Sequence, residues 1–251
     1  MNKFIITTPA YNVAKWIAMY VNTLKFQSYK NFEVHFVDDA STDNTVSLLT
    51  NMTKDDSRFH IYTNTQNIGS PLENIIKAFD HANPEDDDII VNIDGDDWLS
   101  SVFVLDYLNQ IYTHTNCWMT YGTCQIYPTG DVVGHSEIPM PDWVSDQNAY
   151  RQYPFIASHL RSYKAKLFRH IDRLDFVDRR SNKVYTEASD LALMFPLLEM
   201  SGKDRAYRVE SIMYTLNRNN ELNEATLDCA KQKETESIIR SCKSYDRIQT
   251  I

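Results

Sequence analysis

The first 94 residues alternate two kinds of segment, and that alternation constrains the fold more than anything else in the chain. "KFIITT" (3–8), "FEVHFVD" (32–38), "FHIYT" (59–63) and "DIIVNID" (88–94) are short runs rich in β-branched and aromatic residues. Such runs read as strands. Between them, "VAKWIAMYVNTLKFQ" (13–27), "TDNTVSLLTNM" (42–52) and "PLENIIKAFDHA" (71–82) carry apolar residues at helical spacing. Ser41 or Thr42 is placed to cap the second helix, with Asp43 in its first turn, and Pro71 suits the first position of the third. Repeated βα units predict an α/β protein: a doubly wound, mostly parallel central sheet flanked by helices, with right-handed crossovers.

Ligands of such sheets bind beyond the carboxyl ends of the strands. Polar residues gather at those ends: Thr8 to Asn12 after the first strand, Asp38-Asp39 after the second, and Asp94-Gly95-Asp96-Asp97 after the fourth. Three carboxylates within four residues repel one another. Oxygen ligands without Cys or His nearby suit a hard divalent ion, Mn²⁺ or Mg²⁺, completed by substrate phosphates. The competing reading is a solvated acidic turn, as "PEDDD" (84–88) is expected to be. A strand-end carboxylate such as Asp39 can accept the imide N–H of a uracil-type base, and Tyr11 can stack on a flat ring. Helix capping for Asp38 or Asp39, and a rim position for Tyr11, are the alternatives.

The second half is less regular. "CWMTYGTCQIY" (117–127) reads as a strand, and residues 128–154, with four of the eight prolines, read as a long loop or lid. "HLRSYKAKLFRHI" (159–171) and "SDLALMFPLLEMSG" (189–202) read as helices, the second with Leu191, Met194, Leu197 and Leu198 on one face and Gly202 as its stop. "RAYRVESIMYTL" (205–216) reads as a returning strand, and the tail from Glu224 as a polar helix. Without repeats or linkers, residues 1–251 are expected to form a single domain.

Composition narrows the partners. The net charge is −9, from 25 basic and 34 acidic residues, and no basic stripe with interleaved aromatics is present. Both facts argue against nucleic acid. No apolar run reaches the roughly 18 residues of a membrane span. The N-terminus "MNKFIITTPAYN" lacks a signal-peptide pattern, and Cys117, Cys124, Cys229 and Cys242 lack CxxC spacing. Buried free thiols and a cytoplasmic location are expected.

Taken in order, "TTPAYN", "VDDASTDNT", "NIGSPLEN" and "NIDGDDWL" resemble the family-2 glycosyltransferases of the GT-A fold, most closely over residues 3–105 and again over 186–218. The resemblance implies a Rossmann-like nucleotide-binding half (1–115), an acceptor and catalytic half (116–223) and a C-terminal helical tail (224–251). It implies a metal-dependent inverting transfer of a sugar from a nucleoside-diphosphate donor, a UDP-sugar favoured, to a hydroxyl of a glycan or glycoprotein acceptor. Thr8, Pro9, Tyr11 and Asp39 would line the base, joined by Asn67, Gly69 and Asn74 of the third motif. Asp94, Gly95 and Asp96 would contact ribose and metal, with Asp96 and Asp94 as metal ligands and Asp97 orienting Asp96 or a water. Glu73 stands where members often carry an arginine.

An inverting transfer needs a carboxylate to deprotonate the acceptor. Members usually supply it from a Glu-Asp pair opening a late helix. Alignment of "SDLALMFPLLE" places Asp190 there, with Ser189 at the glutamate position; Glu187 is the runner-up, and a helix N-terminal charge is the bland role for Asp190. His159, Arg161 and Arg218 are candidate cations for the diphosphate, and Trp143 and Trp98 candidate sugar platforms. Two rival classes remain: a nucleotidyltransferase, disfavoured because "TTPAYNVAKW" has no glycine, and a nucleotide-sugar-binding module without catalysis.

Overall fold

The computed structural model describes residues 1–221 and 229–251. Strands β1 (Phe4–Ala10), β2 (Phe32–Asp38), β3 (Phe59–Thr63) and β4 (Ile89–Asn92) form where the apolar runs predict them. They pair in parallel in the order β3-β2-β1-β4, with Ile6 opposite Val34 on one side and Val91 on the other. All seven residues of β1 are buried, as expected of a parallel strand covered on both faces. The connecting helices are α1 (Ile17–Lys25), α2 (Thr45–Thr53) and α3 (Pro71–Ala82). The chain steps outward from β1 to β3 and then returns to β4 on the other side of β1. That reversal opens a crevice beyond the ends of β1 and β4.

Beyond β4 the sheet becomes mixed. It continues through β7 (Arg161–Lys164), β6 (Met119–Tyr127), β10 (Ala206–Asn217) and β5 (Trp98–Leu99), and eight described strands make one continuous sheet, while β8 (Val177–Asp178) and β9 (Lys183–Val184) pair separately. The segment 159–171, read as helical, instead gives the strand β7, antiparallel to β4, followed by the short helix α6 (Ala165–Arg169). The acidic turn after β4 leads to β5 before α4 (Val104–His114), not directly into a helix. Within 128–154 the chain forms a 3₁₀ turn at Gly134–Glu137 and the helix α5 (Asp142–Asp146), with Val133, Val144 and Tyr150 buried, so this stretch is largely packed structure. The helix expected from Thr42 begins at Thr45, because Asp43 spends its carboxylate on the amide and hydroxyl of Thr45.

Two apolar clusters sandwich the sheet. One joins α1, α2 and α4 to it through Tyr20, Leu49 and Leu108; the other joins α3, α6 and the long helix α7 (Ser189–Arg205) through Phe79, Phe168 and Phe195. Every residue of α7 from Leu191 to Gly202 is buried, not one face alone, because the sheet lies on one side and α5 and the C-terminal segment on the other. Gly202 (φ +59°) breaks the helix, as its position predicts. The expected tail begins outside the described residues at 224–228; its described part is α8 (Cys229–Ser241). Cys117 and Cys124 are buried free thiols as expected, whereas Cys242 is exposed. Trp98 is buried against Trp16 and Tyr127. Trp143 sits on α5, whose Asp142 and Asp146 pair with Lys203 at the far end of α7. Neither tryptophan lines the cleft described next.

Candidate active site

A cleft of about 490 Å³ opens at the crevice between β1 and β4, a size suited to a nucleotide-sugar. Its first wall comes from two motifs laced together. Asn12, held at φ +51°, receives the Thr42 amide on its side-chain oxygen at 2.8 Å, while its own amide donates to Ser41 Oγ at 2.9 Å. The amides of Val13 and Ala14 donate to Thr45 Oγ1 and Asp43 Oδ2. Most of "STDNT" therefore shapes the loop that carries Tyr11, which is 38% exposed at the rim. Asp38 turns inward and receives the Ser41 amide at 3.0 Å. Asp39 faces the cleft, yet only 3% of it is exposed. It accepts from Asn64 Nδ2 at 2.7 Å and from the amides of Ile68 and Gly69 at 3.0 and 2.8 Å. Three donors leave one of its roughly four acceptor positions for a ligand.

The floor is the turn after β4. Gly95 donates its amide to the Pro9 carbonyl, and a Cβ on Gly95 would lie 2.6 Å from Ala10 Cβ. Only glycine lets this turn press against β1. Asp94 and Asp96 face the cleft, and Asp97, largely buried at its base, accepts from Tyr214 Oη and the Asn217 amide, each at 2.7 Å. Burial first, and then the charge of Asp96, pushes the Asp94 carboxyl above the usual carboxylate range; burial does the same for Asp96, against a hydrogen bond from Asn220 Nδ2 at 2.7 Å. Burial and the two neighbouring carboxylates raise Asp97 further.

The opposite wall is assembled from the second half of the chain. Asp190 lies in the first turn of α7 and its Oδ2 meets Arg161 Nη2 at 3.2 Å. Arg161 also donates to the Ala157 carbonyl. Arg218, just beyond β10, lines the same space. His159 stacks on Tyr214 with ring centroids 4.7 Å apart and comes within 4.0 Å of Asp94. Burial, reinforced by the charges of Arg161 and Arg218, holds its imidazole well below the usual value. This favours the neutral imidazole, so Arg161 and Arg218 are the permanent cations of this wall.

Of the residues singled out from the sequence, Pro9, Tyr11, Asp39, Asn67, Gly69, Asn74, Asp94, Asp96, His159, Arg161, Asp190 and Arg218 converge on this cleft. Thr8 does not: it is fully buried with its hydroxyl 2.6 Å from that of Tyr20. Gly95 supports the floor without lining it. Glu187 points elsewhere, ion-paired to Lys231 and receiving the Thr186 hydroxyl at 2.7 Å. Glu73 pairs with Lys77 at 3.5 Å. Sequence reasoning missed Ser189 as a cleft residue, with its hydroxyl buried and unpartnered, and Asn220, which follows Arg218 by two positions and steadies Asp96. It also missed Gln232, which reaches the cleft from α8. No local pattern marks any of these three.

The family model for glycosyl transferase family 2 matches residues 5–172. A GalNAc(5)-diNAcBac-PP-undecaprenol beta-1,3-glucosyltransferase of Campylobacter jejuni is 27% identical over 135 residues, which cover 53% of this chain and 41% of that protein. The chain therefore spans less than half the length of this curated relative. Among solved structures, S. aureus TarS 1–349 in complex with UDP-GlcNAc superposes with a TM-score of 0.66 at 15% identity, over 94% of this chain and 65% of that one. The mannosyltransferase PcManGT from Pyrobaculum calidifontis, in complex with GDP-Man and Mn²⁺, gives a TM-score of 0.59 at 18% identity, over 85% and 56%. At such identities the likeness concerns the fold.

Proposed function

The chain belongs to glycosyl transferase family 2 and has a GT-A type fold, and from that premise we propose that it moves a sugar, with inversion, from a UDP-sugar to a hydroxyl of a glycan or glycoprotein acceptor. The observation that carries this reading is convergence. Asp190, from the second half of the chain, opens onto the same cleft as Asp39, Asp94 and Asp96 from the first. In this reading residues 1–115 bind the nucleotide, residues 116–223 bring acceptor and base, and the described residues 229–251 of the tail pack within the same domain.

Asp39 accepts the imide N–H of uracil through its remaining acceptor position, and Tyr11 stacks on the ring. Asp94 and Asp96 would hold Mn²⁺ or Mg²⁺. The fit rests on an oxygen-only donor pair whose carboxyls burial has already raised, a condition that a divalent cation reverses. When bound, the ion supplies positive charge to the departing diphosphate. Asp97, each of whose oxygens already accepts one hydrogen bond from Tyr214 or Asn217, fixes the turn. Arg161 and Arg218 bind the diphosphate oxygens. Asp190 takes the proton of the acceptor hydroxyl as that oxygen bonds to the anomeric carbon and the carbon–oxygen bond to the diphosphate breaks. Until substrate arrives, Arg161 holds Asp190 in place.

The test is nucleotide release from a panel of UDP- and GDP-sugars with and without Mn²⁺. UDP release that depends on Mn²⁺ is expected. Tight UDP binding without release from any donor would favour the non-catalytic binding module, and preferential GDP release would overturn the role of Asp39.

A further inference from the structure

A second cluster of ligating side chains lies on the sheet face under α3, roughly 10 Å or more down the strand from Asp38. Glu33 and His35 alternate onto this face of β2, and His60 of β3 stands opposite His35 in the parallel register. One ligand atom from each of the three falls within 4.8 Å of the others. His35 is 3% exposed, and its Nε2 has no hydrogen-bond partner. That nitrogen faces Glu33 Oε2 at 3.6 Å. On the other side of the ring, Nδ1 meets the Tyr62 hydroxyl at 3.2 Å, and Tyr62 in turn stacks on His81 at 4.0 Å.

We propose that Glu33, His35 and His60 form a binding site for a transition-metal dication of the Zn²⁺ class, distinct from the cleft, with water as a fourth ligand. Two imidazoles and one carboxylate suit Zn²⁺, whereas the oxygen-only cleft suits Mn²⁺ or Mg²⁺. Bonds of about 2.0–2.2 Å around a tetrahedral ion set its ligand atoms roughly 3.4 Å apart, close to the His35–Glu33 separation. A proton on His35 Nδ1, donated to the Tyr62 hydroxyl, leaves the lone pair of Nε2 for the metal; an outer-shell partner of this kind commonly orients a ligating histidine. Lys3, 2.9 Å from the other oxygen of Glu33, is the competing cation. The ion would clamp the edge strand β3 to β2.

The test uses the metal-stripped 251-residue chain carrying Asp96→Asn, which weakens the cleft as a competing site. Zn²⁺ affinity is measured against a chromogenic chelator, and thermal unfolding is followed with and without Zn²⁺. One Zn²⁺ per chain is expected, with a raised melting temperature. His60→Ala and the near-isosteric Glu33→Gln, each added to that protein, should weaken binding by about a hundredfold or more and abolish the thermal shift. Lys3→Met should tighten binding. If His60→Ala fails to fold, Glu33→Gln alone decides the matter. No stoichiometric Zn²⁺ binding, or unchanged affinity in Glu33→Gln, would overturn the proposal.

Discussion

Asp38 and Asp39 are neighbours with opposite duties, because successive side chains of a strand point to opposite faces. Asp38 closes a turn through the Ser41 amide, and Asp39 gathers the 64–69 loop while keeping one acceptor position for a ligand. Asp39→Asn replaces an acceptor-only carboxylate by an amide that must turn an N–H toward one of its present donors. UDP binding, measured by calorimetry, should weaken by roughly 10–100-fold. Gly95→Ala is expected to be costlier to the fold: the new methyl meets Ala10, so denaturant melts should show a loss of about 1–3 kcal/mol. The cleft residues were legible where a polar side chain ends an apolar run, as at Asp39, Asp94 and Asp96. Thr8 was misread because it alternates with Pro9: the hydroxyl of Thr8 turns to Tyr20 and Pro9 faces the cleft. That burial and two neighbouring arginines hold the His159 imidazole down is a property no spacing reveals.

At the scale of elements, the first three helices and first four strands follow their local patterns closely, since each βα unit buries its own apolar face. Strand β7 did not: "RSYK" has no apolar run, and it is a strand because β4 and β6 lie on either side to pair with it. The two-residue β5 exists only through β10, more than a hundred positions later. Helix α7 depends on a buried ion pair that is likewise invisible in sequence. Glu199 accepts from Arg151 at 2.5 and 3.0 Å and from the Tyr245 amide at 2.9 Å, and Arg151 also donates to the Ile239 carbonyl. The pair thus joins α7, α8 and the C-terminal segment. Glu199→Ala would leave a buried guanidinium without its partner. A loss of about 3–5 kcal/mol is expected from denaturant midpoints; a change near zero would mean that this junction contributes little to folding.

Over the whole molecule, one continuous sheet brings together groups that are far apart in the chain. β2 and β4 lead into the cleft carboxylates Asp39, Asp94 and Asp96, β1 leads into Pro9 and Tyr11, the turn after β10 adds Arg218 and Asn220, and α7 and α8 add Asp190 and Gln232. The sequence motifs reveal the first set, because a parallel sheet places its strand ends on one edge; the second set depends on how α7 docks. Between the two candidate bases, the geometry favours Asp190, since Glu187 is engaged with Lys231 outside the cleft. A general base acts in the chemical step and not in donor binding. The decisive measurement is therefore steady-state turnover beside calorimetric UDP affinity for Asp190→Asn and Glu187→Gln. Asp190→Asn should lower turnover by about a hundredfold or more with UDP affinity nearly unchanged, and Glu187→Gln should stay close to wild type. A full-rate Asp190→Asn enzyme beside an inactive Glu187→Gln enzyme would contradict the assignment.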